Sequence, residues 1–170
     1  MSEPDAPDPT EPADVAFDVR FEDATFFYFL IVDFGGRVVE VEGFVDMMWV
    51  DEDLPRAALA LALGHPDPMK IRLADLERGG PRLWARSVLL DDRFLTPSGR
   101  RRWGVEISRE HLDHMGDSEG PPEPLGVTPS RLQFARAALA FAERRRRGRD
   151  PGPTLSALRA AMPALKAAGG

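Results

Sequence analysis

Residues 17–49, FDVRFEDATFFYFLIVDFGGRVVEVEGFVDMMW, decide the fold class. Phe17–Val32 is dense in Phe, Val, Ile and Tyr, side chains that fit a pleated, half-buried surface. Asp33-Phe34-Gly35-Gly36 follows as a hairpin turn, because Gly reaches the positive φ that tight turns require. Val38–Trp49 then returns as a second strand. Its alternation places Val39, Val41, Gly43, Val45 and Met47 on one face and Glu40, Glu42, Phe44, Asp46 and Met48 on the other. That second face is acidic at one end and apolar at the other. A strand with apolar groups on both faces is either sandwiched or paired with a partner.

Outward from this hairpin, Leu54–Leu63 (LPRAALALAL) predicts one helix, stopped by Gly64 and by Pro66 and Pro68. Met69–Leu73, Arg82–Leu90 and Arg102–Ser108 read as strands separated by the turns Gly79-Gly80-Pro81 and Thr96-Pro97-Ser98-Gly99. The C-terminal region changes in kind. Arg131–Arg147 is a helix that Ser130 can cap, and Leu155, Leu158, Met162 and Leu165 recur at helical spacing along Thr154–Leu165. Pro163 is expected to kink or shorten that last helix. The chain therefore reads as α+β, with a mainly antiparallel β body, sandwich-like or two-layer, and a C-terminal αα-hairpin. The expected core is Phe29, Ile31, Val39, Val41, Val45, Met47, Trp49, Leu59, Leu83, Leu89 and Ile107.

Proline and glycine set the expected boundaries. Residues 1–13 form an acidic, Pro-rich leader expected to be disordered, and 14–116 a β-rich domain. Residues 117–129 read as a Gly/Pro linker, and 130–170 as a basic helical tail broken at Gly148–Pro153. A second arrangement packs the tail helices across the open face of the sheet, making one domain.

The 170 residues are 43% hydrophobic and 29% charged with no Cys, which excludes a disulfide scaffold and thiolate metal sites. The longest apolar run, Phe26–Val32, is far short of the roughly 20 residues that span a bilayer. The N-terminus lacks the basic and apolar regions of a secretory signal, so the expected location is cytoplasmic. Charge is asymmetric. Residues 1–125 carry 13 Lys and Arg against 26 Asp and Glu, a net of −13, whereas 126–170 carry 9 against 2, a net of +7. Such a tail docks on its own acidic body, on a neighbouring copy, or on an anionic polymer.

The string Trp49-Val50-Asp51-Glu52-Asp53-Leu54, with Asp33 sixteen positions before Trp49, resembles the W-x-D-x-x-L strand and preceding turn of pentameric ligand-gated ion channels. Ile71-Arg72-Leu73, Trp84 and Arg100–Ile107 resemble, in order, later elements of that family's extracellular domain, over about residues 15–108. The resemblance implies a β-sandwich with an intersubunit ligand site, and it places Phe44, five positions before Trp49, beside a small-molecule ligand. The departures are Ala85 and Arg86 where the family has a Pro two positions after its second Trp, and the absence of four membrane helices. No channel on its own is expected.

Several clusters carry possible chemistry. Glu110-His111-Leu112-Asp113-His114 with Asp117 has the residue types of a zinc or non-haem iron site, His111 and His114 sharing one face if helical, and His65 joining only in three dimensions. Asp46, Asp51, Glu52, Asp53, Asp91 and Asp92 could serve as paired acid and base; alternatively they are a solvated strand end, with Asp53 capping the helix at Leu54. Arg144–Arg147 and Arg149 suit nucleic acid or anionic lipid, or a helix C-terminus. Phe134 and Phe141, seven apart, read as core and not as base-stacking residues. No nucleophile elbow, Walker loop, dinucleotide fingerprint or H-E-x-x-H motif occurs, so no cofactor and no catalytic residue is expected. The leading expectation is a non-enzymatic binding or assembly module that self-associates or holds a protein partner. The alternatives are a metal-dependent hydrolase and an anionic-polymer binder.

Overall fold

The computed structural model describes residues 8–44, 48–73, 80–146 and 152–170. The chain is α+β, and its described residues form two antiparallel sheets and three helices. The first sheet is β1 (Val15–Glu22), β2 (Phe27–Phe34) and β3 (Arg37–Phe44), in that spatial order. Helix α1 (Met48–Ala62) follows. The second sheet is β4 (Met69–Ile71), β5 (Pro81–Leu89), β6 (Trp103–His111) and β7 (Glu123–Val127), also in chain order. Helices α2 (Arg131–Arg145) and α3 (Gly152–Ala167) close the chain.

The stretch Phe17–Val32 is two strands and not one. The break is the tight turn after Glu22, where the Phe26 N–H donates to the Glu22 carbonyl at 2.9 Å and Phe26 takes a left-handed φ of 57°. The next hairpin turns at Gly35 and Gly36, whose φ values of 61° and 100° are those only Gly adopts without strain. On β2 the buried set is Leu30, Val32 and Phe34, facing Phe17 and Val15 of β1 and Val41 of β3. Phe29 and Ile31, expected in the core, lie on the opposite face. Both faces of β2 are apolar, and alternation alone gives no preference between them.

Of the other expected core residues, Val41, Leu83 and Ile107 are buried, and Val39 and Leu59 pack against the core. Leu89 is exposed, and Val45 and Met47 lie outside the described residues. Trp49 ends no strand: it sits half-buried in the first turn of α1, which begins at Met48, six residues before the expected start. Pro55 lies within that helix and is buried. Pro163 likewise lies within α3, which runs on to Ala167.

The segment expected as a linker supplies β7. Its backbone pairs with β6, and at Val127 it meets the leader, where Pro12 bridges in parallel and the Ala13 N–H donates to the Val127 carbonyl at 2.9 Å. The Phe34 ring lies flat against Gly126, where a Cβ would come within 2.5 Å of it. Arg37 stacks over Phe34 and donates to the Leu125 carbonyl, so the two sheets meet at this corner.

The expected tail is part of the same core. Phe134 and Phe141 of α2 meet the Phe17 ring edge-on at 6.0 and 6.4 Å, and Leu158 and Leu165 of α3 join the same buried cluster as both sheets and α1. Ser130 caps α2 as its position predicts, accepting from the Gln133 N–H at 3.0 Å.

Candidate functional site

The three-stranded sheet buries one face and leaves the other open. Its open face takes Asp18, Arg20 and Glu22 from β1, Phe27, Phe29, Ile31 and Asp33 from β2, and Val38 and Glu40 from β3, by register. No described element packs over it. An apolar stripe therefore runs along the outer side of β2, with Phe27 and Val38 exposed and Phe29 and Ile31 half-buried. Arg20 bridges the stripe: its guanidinium stands 4.2 Å above the Phe29 ring and pairs with Glu40 on the far strand. At the β1–β2 tip Phe26 is 71% exposed while holding its left-handed backbone. The opposite, β1 edge is already engaged. Gln133 donates to the Val15 carbonyl and accepts from the Val15 N–H, each at 2.9 Å, and Arg144 donates to the Phe17 carbonyl.

A second concavity, about 410 Å³, lies on the outer face of the four-stranded sheet, walled by Trp84, Pro68, Pro122 and Pro124. Glu110 sits at its floor, buried, with Oε2 accepting from Arg82 Nε and from the Trp84 indole N–H, both at 2.6 Å. The Arg82 hydrogen bond prevails over the cost of burial, with Trp84 and Ser118 assisting, and holds the Glu110 carboxyl down at about 2. Arg86 pairs with Glu106 at 2.8 Å across the same face. Both carboxylates are therefore matched to guanidiniums.

The sequence-predicted residues do not converge. His111 ends β6, and the turn that follows is organised by Asp113, whose Oδ1 accepts the Met115 and Asp117 N–H groups at 2.8 and 3.0 Å. His111 and His114 therefore share no helix face, and Glu110 points to the Trp84 groove. His65 lies in its own turn, accepting from the Asp67 N–H at 3.3 Å. Among the described residues no group of three or more His, Asp or Glu can hold a metal ion.

The acidic run is distributed in the same way. Asp53 is inside α1 and not its cap; its carboxylate receives Arg72 Nε at 2.7 Å, Arg72 Nη2 at 2.9 Å and the Arg72 N–H at 3.1 Å. Burial raises this carboxyl, but the Arg72 hydrogen bonds and the Arg72 and Arg56 charges outweigh it and leave it below the ordinary range. The Arg72 guanidinium also lies 3.9 Å over the Trp49 ring. Glu52 pairs with Arg56 at 4.0 Å, Asp91 with Arg93 at 2.8 Å and Asp92 with Arg101 at 3.5 Å, and Asp46 lies outside the described residues.

Of the arginine run, Arg145 pairs with Asp51 at 2.9 Å, and Arg144 holds the β1 edge, so both serve the fold. Arg147 and Arg149 lie outside the described residues. Phe44 ends β3 opposite Tyr28, and its side chain is likewise outside that description. Reading one strand face at a time missed the open sheet face. The usable signal was Phe26–Val32, an uninterrupted apolar run that supplies both faces of β2.

No described helix is long and apolar enough to cross a membrane. Comparisons with protein-family models, curated proteins and solved structures find no match to the chain.

Proposed function

We propose that the chain is a non-enzymatic binding and assembly module whose working surface is the open face of the three-stranded sheet. One observation carries this reading: β2 is apolar on both sides, and among the described residues only one side is covered. Strands of that kind are normally buried on both faces, so a second covering layer has to come from elsewhere. The paired carboxylates argue in the same direction: Asp51, Glu52, Asp53, Asp91, Asp92 and Glu110 each pair with a guanidinium.

The test replaces Phe29 and Ile31 by Thr together. The native chain takes up an apolar fluorescent dye, or forms oligomers, through this face; the double variant does neither and keeps its circular dichroism spectrum. A native chain that stays monomeric and binds no dye, or a variant that behaves like it, contradicts the reading.

A further inference from the structure

The occupant of the open face can be narrowed by its shape and charge. A sheet face, unlike a sheet edge, is covered by a packed layer and not by an added strand. Three strands at about 4.8 Å spacing make a surface roughly 14 Å wide, which matches one helix of about 10–12 Å diameter. From Phe27 to Ile31 the stripe runs four residues along β2, roughly 13 Å at about 3.3 Å per residue, or between two and three helical turns.

Charge lies on both sides of the stripe. Asp18 and Glu22 flank it from β1, Glu40 from β3, and Asp33 stands at its end, against one cation among the described residues of this face, Arg20. That is a net of −3 around one apolar line. Arg20 is shared between Glu22 at 3.5 Å and Glu40, and its side chain is 44% exposed. Exposed pairs of this kind are weak, so the arginine can swing aside and uncover Phe29. Two copies of this face brought together would oppose like charges, which disfavours self-pairing.

We infer that the open face of the three-stranded sheet docks a basic amphipathic helix of a protein partner, its apolar stripe on Phe27, Phe29 and Ile31 and its Lys and Arg side chains over the flanking carboxylates. The inference rests on the binding-module reading. Long cationic stems can lie along apolar surface while their charged ends reach Asp18, Glu22 and Glu40. Anchors at i, i+4 and i+7 of the incoming helix meet the stripe.

The test uses three labelled synthetic peptides: a Leu/Lys amphipathic helix, the same helix with Glu for Lys, and a Leu/Lys scramble without a stripe. Fluorescence anisotropy on the full chain is expected to show the Leu/Lys helix binding at least tenfold more tightly than either control, and weakening as salt rises. Asp18→Lys/Glu40→Lys, both exposed positions, is expected to weaken it at least tenfold with the melting temperature preserved. Phe29→Thr/Ile31→Thr is expected to abolish it. Equal binding of the scramble, or binding that neither variant changes, overturns the inference. Binding of none of the peptides also overturns it, and the dye and oligomer measurement then decides separately whether the face binds anything. A native oligomer lost in Phe29→Thr/Ile31→Thr and undisturbed by the peptide identifies a second copy as the occupant; that too overturns the inference while the module reading stands.

Discussion

Glu110 and Asp53 show how single carboxylates stabilise this chain. The folded Glu110 carboxyl titrates at about 2 against an ordinary value of 4.5. A carboxyl depressed on folding stabilises the protein above its unfolded pKa, and that contribution disappears as pH falls through the folded value. Glu110→Gln is therefore expected to melt below wild type at pH 5–7, with the gap closing between pH 4.5 and about 2. Melting curves at half-unit intervals of pH check it; a gap independent of pH would contradict it. Asp53 differs in being joined to Arg72 by three hydrogen bonds from inside a helix. Asp53→Ala removes these bonds from a guanidinium that keeps some contact with water, and the expected loss is about 2–3 kcal/mol, below the roughly 3–5 of a fully buried pair. Urea unfolding of the two proteins measures this directly.

At the scale of elements, the corner where the sheets meet depends on Gly126 and the β1 edge on Gln133. Gly126→Ala would push a methyl into the Phe34 ring and is expected to cost about 1–3 kcal/mol, read from chemical denaturation. Gln133→Ala removes both hydrogen bonds to Val15; amide exchange there should accelerate, with a loss of about 1–2 kcal/mol. The elements legible in the sequence were those with one clear period: β5, β6, α2 with its Ser130 cap, and the stripe of α3. Others were hidden for physical reasons. The β1–β2 turn contains no Gly, and Phe26 takes the left-handed position that usually signals one. The β7 strand is masked by Pro122, Pro124 and Gly126, which are tolerable because it is an edge strand. Asp53 looked like a helix cap, whereas it is bound by Arg72, a partner nineteen residues away. The candidate site followed the same logic: His111 and His114 were visible as residue types, but their separation onto a strand end and a turn was not.

Across the whole molecule, the contrast between an acidic body and a basic C-terminal region is used within the chain. Arg145 meets Asp51, Arg144 meets β1, and α3 adds Leu155, Leu158 and Leu165 to the buried set. A chain ending at Arg146 loses these three leucines, each worth about 1.5–3 kcal/mol of burial, and is expected to lose cooperative melting. The central claim concerns the two sides of β2: one is core, the other a working surface. Unfolding free energies of two double variants, Phe29→Thr/Ile31→Thr and Leu30→Thr/Val32→Thr, test it most directly at a concentration where the chain is monomeric. The outward pair is expected to cost less than about 1 kcal/mol, and the inward pair at least about 4. Equal losses, or a larger loss from Phe29 and Ile31, would mean that the outer face is packed within the fold, contradicting the account.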